Sequence, residues 1–474
     1  MLLTVISAAR GAAIQVLFEC ATESALLSVF GEYNRELLDK YDVFFIDLSY
    51  LSNSPDPKNL EVRLNGYFDD NFHPDKEASF LFYSDIADVT GTNVSLTGYE
   101  LASDGLGKPF ADQVVKYMSN LYGADFIEEM TDMISVYDSY DLSSERYEEL
   151  KDYSIKGISS TSGEEETWEQ TVLKKNILSL LDLADAEKKS KIPIGLSLES
   201  IPPAQTLLLR EKEKGTENTG NVFFSPAENI LFDEYVMTKM GNYVNKKEES
   251  KLRYETEYII VGSFLDIDNF SKVYEVLMVT RTLADYISLN MASDKVEKVR
   301  EIAEPIASFL HLPEEVVTQF FLMIWAEFEA SFDCIALCLG KEIPLIKKSE
   351  EIYASFEGIL GYIELILSEL KIPSGSDDSE DSGISPNPDS ETQSGIPEIK
   401  LDYEDYMRIF LFFVPPQLKV YRTMDMIEAD MRKAGTENEY FRFDACADRI
   451  KAVFSIETGY DFRFTSEKKY SYFE

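Results

Sequence analysis

The sequence predicts an α+β fold, on three observations: a long helical stripe at the start, a predominantly helical middle and a strict two-residue alternation near the end. At the start, Leu2, Ile6, Ala9, Ala13, Val16, Cys20, Leu27 and Phe30 recur at helical spacing. Read through to about residue 38, that stripe gives a stalk roughly 57 Å long at 1.5 Å per residue. Near the end, Ala452, Phe454, Ile456, Thr458, Tyr460, Phe462 and Phe464 alternate with Lys451, Ser455, Glu457, Asp461 and Arg463. This alternation predicts a strand with one buried face, and Tyr440, Phe441 and Phe443 begin its expected partner.

Between these ends the elements follow in order. The stalk occupies 1–40 and a mixed α/β region 41–137. In that region Val43–Leu48 is compact and apolar like a buried strand, Val94–Leu101 flanks Gly98 like a short hairpin, and helical patterns run from Pro109 to Tyr137. From 138 to 220 the pattern thins around Glu164–Glu166 and Lys188, which predicts a partly mobile insertion. A helical block, 221–372, opens at Ser225-Pro226-Ala227-Glu228, where serine and glutamate can cap each other's backbone N–H groups and proline fits the first turn. Inside it, alternation from Leu252 to Ile260 predicts a lone strand, Asp268 is placed to cap the next helix, and Phe320–Leu339 reads as a buried core helix. An extended turn follows around Pro344. Residues 373–398 form an acidic Ser/Asp/Gly/Pro-rich linker expected to be disordered, and 399–474 return to helices and the C-terminal strands.

The composition narrows the function. With 45 basic against 86 acidic residues the net charge is −41, so nucleic-acid phosphates and anionic headgroups would be repelled by most of the surface. At 45% hydrophobic and 12% aromatic the chain can still bury a substantial core. Four cysteines are too few for a disulfide framework at this length, and Cys334 and Cys338, one turn apart, read as small core residues.

Catalytic signatures are missing. Two histidines, His73 and His311, cannot build a multi-histidine zinc site, and there is no phosphate-binding G-x-x-x-x-G-K-[ST] run, nucleophile elbow or C-x-x-C pair. Gly105–Pro109 reads as a tight turn. Asp266-Ile267-Asp268-Asn269 opens like a calcium loop, but the required glycine is missing and Leu277 stands where a glutamate should. Neither a cofactor nor a catalytic residue is assigned, and the chain reads as a non-enzyme. The most informative charges are Glu255, Glu257, Arg281, Glu327, Glu329 and Asp333. Arg281 lies between Leu277 and Ala284 on an apolar helix face, while Glu329 and Asp333 are one turn apart on the core helix. These spacings predict a structural ion pair from Arg281 to Glu329 or Asp333.

Several blocks carry a resemblance. Ala8-Ala9-Arg10, Glu19-Cys20-Ala21-Thr22, Val29–Leu38 and Phe44–Asp47 are followed by Leu252–Ile260, Trp325-Ala326, Glu329-Ala330, Leu339-Gly340-Lys341, Pro344–Lys347 and Tyr403–Tyr406. In this order they resemble an uncharacterised Gram-positive family encoded beside tight-adherence (Tad/Flp-type) pilus genes. The resemblance implies one N-terminal membrane helix and an extracytoplasmic body, in the manner of TadE and TadG pseudopilins. Its partners would be pilin-like or other membrane helices meeting the stalk. This chain departs from that pattern, because Met1–Ala9 is less than half of the apolar run a span needs, as though the anchor were truncated or the start codon misplaced. The expected role is therefore a tethered component of a Tad-like pilus or secretion apparatus. Two other classes stand beside it: a secreted glycan hydrolase with two carboxylates in a cleft, and a cytoplasmic acidic scaffold if Met1 is the true start.

Overall fold

The computed structural model describes residues 2–50, 54–73, 87–159, 167–168, 170–175, 177–179, 207, 224–247, 252–356, 399–432 and 436–472. The acidic linker expected at 373–398 lies outside them, as do Glu164–Glu166 and Lys188. In chain order the first elements are α1 (Leu2–Phe30), α2 (Arg35–Tyr41), β1 (Ile46–Asp47), α3 (Pro57–Asp70), β2 (Val89–Leu101), α4 (Asp104–Leu121), α5 (Ala124–Ser139) and α6 (Ser144–Ser159). The middle contributes α7 (Pro226–Lys239), α8 (Glu255–Val261), α9 (Asp266–Met291), α10 (Ser293–Leu310), α11 (Glu314–Cys338) and β3 (Ile343–Pro344). The chain closes with β4 (Lys400–Leu401), α12 (Tyr403–Phe413), α13 (Pro416–Met431), β5 (Cys446–Thr458) and β6 (Arg463–Ser471). The fold is α+β, with antiparallel C-terminal strands as the alternation predicts.

Strand β5 organises one layer. It pairs antiparallel with β2 along most of its length, with β6 on the C-terminal hairpin and with β1 at Cys446 and Ala447. Its inward residues Ile450, Ala452, Phe454 and Ile456 are buried against α1 and α3, where Phe68 meets Phe18 and Phe454 edge-on at 6.0 and 5.1 Å. The alternation from Ala452 to Phe464 runs through a hairpin, not along one strand. Its turn falls at Gly459–Phe462, with Asp461 in the left-handed region. The expected partner at Tyr440–Phe443 does not pair either: Phe443 opens a 3-10 turn and its ring packs on Phe110 at 5.3 Å. Nor is there a hairpin at Gly98, since Val89–Leu101 is one strand laid on β5.

The stalk helix is shorter than its stripe suggested. It ends at Phe30, after which Gly31 breaks the pattern and Asn34 caps α2 by accepting from the Leu37 N–H at 3.0 Å. The buried face of α1 is also a different one: Ile14, Phe18, Ala21, Ala25 and Val29 face the sheet. Of the predicted stripe, Phe30 is buried while Val16 and Leu27 are 63% and 58% exposed. The helix is apolar almost all round, so helical spacing alone could not choose the side. Thr4–Phe30 is long and apolar enough to cross a membrane, yet 44% of its most apolar window is buried in this body.

The remaining helices enclose two further apolar cores, with α11 contributing to both. Helix α7 starts with the predicted capping box, in which Ser225 accepts from the Glu228 N–H and Glu228 accepts from the Ser225 N–H. Leu252–Ile260 is not a strand; its last residues form α8. The apparent polar face of that alternation is buried because Glu255 accepts the Gly241 N–H and Glu257 the Tyr243 N–H, at 2.6 and 2.8 Å. Asp268 is inside α9 rather than at its cap, which Leu265 occupies. In the stretch expected to be a mobile insertion, α6 packs on α11, and Leu173 and Ile177 are buried in the second core.

The Gly105–Pro109 turn is left-handed through Gly105, Leu106 and Gly107 and sets α4 against α13. At Gly107, φ is +84° and an added Cβ would lie 2.6 Å from Val420 Cγ1 and 2.8 Å from Met424 Cε. Gly107→Ala should therefore lower the unfolding free energy by about 2 kcal/mol in urea titrations. Gly66→Ala, at a mid-helix position with open space around it, should raise it by roughly 0.5–1 kcal/mol.

Candidate functional site

The most concentrated buried chemistry lies where α9, α11, α12 and the segment after β3 meet. Arg281 on α9 is fully buried, and every N–H of its guanidinium has an acceptor. Nε and Nη2 donate to Asp333 Oδ2 at 3.0 and 2.6 Å, and Nη2 also donates to Asp285 Oδ1 at 2.8 Å. Nη1 donates to the carbonyls of Pro344 and Leu345 and to Tyr406 Oη, at 3.0 to 3.2 Å. The carbonyls are available because β3 pairs with β4 for only two residues, leaving the chain beyond Pro344 to turn inward.

That inward turn delivers Lys347. Its Nζ donates to Asp333 Oδ1 at 2.6 Å and to Glu329 Oε1, and lies 3.5 Å from Asp285 Oδ1. Glu329 is held further by the backbone N–H groups of Tyr353 and Ala354, at 3.0 and 2.6 Å. Two cations thus face three carboxylates. Burial pushes the Asp285 carboxyl well above the usual range despite the Arg281 charge. The Lys347 ammonium is lowered by burial but raised more by the charges of Asp285 and Asp333, so its net shift is upward.

Of the six charges singled out in sequence, Arg281, Glu329 and Asp333 come together here, with Arg281 on Asp333 and Glu329 on Lys347. Glu327 instead takes the Tyr147 hydroxyl at 2.6 Å. Glu255 and Glu257 brace the turn before α8, where Tyr403 also donates to Glu257 at 2.7 Å. Asp285, Lys347 and Tyr406 escaped sequence reasoning. Asp285 was legible as the residue one turn beyond Arg281, whereas Lys347 arrives from a non-helical segment with no periodicity to announce it.

Residues 161–458 match a family described as being of unknown function, DUF5702. The chain belongs to that family. No curated protein and no solved structure matches it. The matched stretch contains the whole Arg281 cluster.

Two larger clefts lie elsewhere. One, of about 710 Å³, is polar and lined by residues such as Glu32, Asn34, Asp47, Tyr50, Arg63 and Asn438. The other, of about 580 Å³, is more apolar and includes Tyr137, Val273, Val276, Phe410, Phe413 and Arg422. The fully buried carboxyls Asp233, Glu257 and Asp285 line neither. Among the described residues, no three His, Cys, Asp or Glu side chains are gathered as a metal site. The four cysteines are free thiols, with Cys20 exposed.

Closed to solvent and hydrogen-bonded throughout except at Asp285 Oδ2, the Arg281 cluster fixes helix packing. Arg281→Ala would leave Asp333 and Lys347 rearranged around an uncompensated buried charge. Thermal and urea unfolding should show a loss of about 3–5 kcal/mol; a folded variant with unchanged midpoint would remove the structural role. Glu257 gives a pH test. Burial raises its carboxyl to about 7, so between roughly pH 4.5 and 7 the folded state holds the proton more tightly than the unfolded chain. Stability from this group is therefore lost as pH rises through that window, by about 3 kcal/mol in all. Glu257→Gln should flatten that part of the stability–pH curve.

Proposed function

We propose that the protein is a non-enzymatic, membrane-tethered component whose body lies outside the cytoplasm, serving assembly or structure in a Tad-like pilus or secretion apparatus. The observation that carries this reading is the two-sided apolar character of α1. One side is locked to the sheet through Phe18, Ala25 and Val29, while Val5, Ile6, Val16, Leu17 and Leu27 on the other are exposed. Such a contiguous apolar face on a protein of net charge −41 is a place for lipid or for another apolar helix. The pilus assignment itself rests on the resemblance of the residue blocks set out above.

The geometry bears on how the tether would work. Residues 4–9 are exposed on every side, whereas Arg10 stacks on Tyr460 at 4.0 Å and Gly11 abuts Phe462. Six residues rise about 9 Å, roughly a third of a hydrocarbon core. These turns offer apolar surface clear of the body, and the exposed side of the remaining helix is left for neighbouring pilin-like helices.

Fractionation of cells carrying the native locus tests the reading. The wild-type chain is expected in the membrane or shed-surface pool, Val5→Asp/Ile6→Asp in soluble pools, and Val16→Asp/Leu27→Asp in the membrane pool but without crosslinks to neighbouring membrane helices. Wild-type protein recovered as soluble cytosolic material would overturn it.

A further inference from the structure

A further buried basic side chain shares none of the partners of the Arg281 cluster. Lys419 on α13 is completely shielded from solvent and reaches across to α7, where Asn229 and Asp233 stand one helical turn apart. Its Nζ donates to Asn229 Oδ1 at 2.6 Å, to Asp233 Oδ1 and to the Leu411 carbonyl at 3.2 Å. The Asn229 amide is fixed in orientation, because its Nδ2 donates to the Phe412 carbonyl at 2.9 Å and leaves Oδ1 turned toward Lys419. The Phe232 ring lies 5.9 Å from Nζ. Asp233 Oδ2 is buried and has no hydrogen-bond partner among the described residues.

We propose that this triad forms an intramolecular amide crosslink between Lys419 and Asn229, with Asp233 carrying the protons. A buried amine beside a primary amide and a carboxyl is the set of groups that transamidation needs: a nucleophile, an electrophilic carbonyl carbon and an acid–base partner. Nζ, as the free amine, attacks Asn229 Cγ and a C–N bond forms. Asp233 in its acid form protonates the oxygen of the tetrahedral centre, then accepts the proton shed by Nζ. The Cγ–Nδ2 bond breaks as a proton is passed to Nδ2, which departs as ammonia while the carbonyl reforms, and Asp233 ends in the form in which it began. One amine and one primary amide become one secondary amide and ammonia, with no oxidant or reductant.

Burial supports each part. It pushes the Asp233 carboxyl up to about 6 and lowers the Lys419 ammonium, in each case against the attraction of the partner, which brings the neutral acid and neutral amine within reach of each other. Fixed contact between groups 190 residues apart in sequence makes the reaction effectively unimolecular, and the dry site limits competing hydrolysis. The product would tie α7 covalently to α13 across the helical core.

The test is the intact mass of the full-length purified chain, followed by tryptic mapping. The expected result is a mass lower than the sequence mass by one ammonia and a branched peptide joining Asn229 to Lys419. Asp233→Ala and Lys419→Arg should restore the unmodified mass in folded protein. A wild-type chain at full sequence mass, with Lys419 cleaved by trypsin, would overturn the proposal whether or not either variant folds. Loss of water with the branch at Asp233 would overturn the role of Asn229.

Discussion

Charge buried out of water has to be matched by charge or by hydrogen bonds, and in this fold that requirement decides which helices may touch. Arg281 and Lys347 are each placed where removal from water would be prohibitive without ionic partners, and each finds those partners on a different element from its own. Apolar surfaces can slide past one another at modest cost. A guanidinium with every N–H directed at a particular acceptor cannot. The register of α9 on α11 is therefore set by ion pairs, and the surrounding aliphatic and aromatic side chains fill the space that those pairs define.

A similar interdependence links the chain ends. The residues matching DUF5702 run from 161 to 458, the last residue of β5, yet β1 and β2 come from before that stretch and β6 from after it. Without those strands β5 would expose unpaired backbone along both edges, and its buried face would lose α1 and α3. The matched stretch is thus one part of a cooperative unit, completed by the N-terminal helices and the last strand.

Much of this was legible in the sequence where a pattern had a local physical cause. The Ser225 capping box needs only four adjacent residues, and α11 announces itself by length and by an apolar run too rich in carboxylates for lipid. Arg281 stood out because an arginine on an apolar face must have a partner. The failures come from long-range effects. α8 alternated like a strand because its glutamates are buried by backbone N–H groups from the preceding turn, which no local window contains. The inward side of α1 could not be chosen because both sides are apolar, and only the sheet brought up from the far end of the chain decides it.

Surface charge and the α1 face belong to the same argument. Much of the excess of acid lies at the surface, for instance on α5 and α6, where Asp125, Glu128, Glu129, Asp132, Glu145 and Glu148 are exposed. Bodies of like charge repel until salt screens them over a Debye length of about 8 Å. Helix α1 carries few charges by comparison. Its charged residues are Arg10, Glu19 and Glu23, and Glu19 is paired with Lys468 at 2.7 Å. On the proposed tethered reading, close approach by a neighbour is cheapest along α1 and costly elsewhere. The charge distribution would then enforce the orientation that an apolar contact, being non-directional, could not specify by itself.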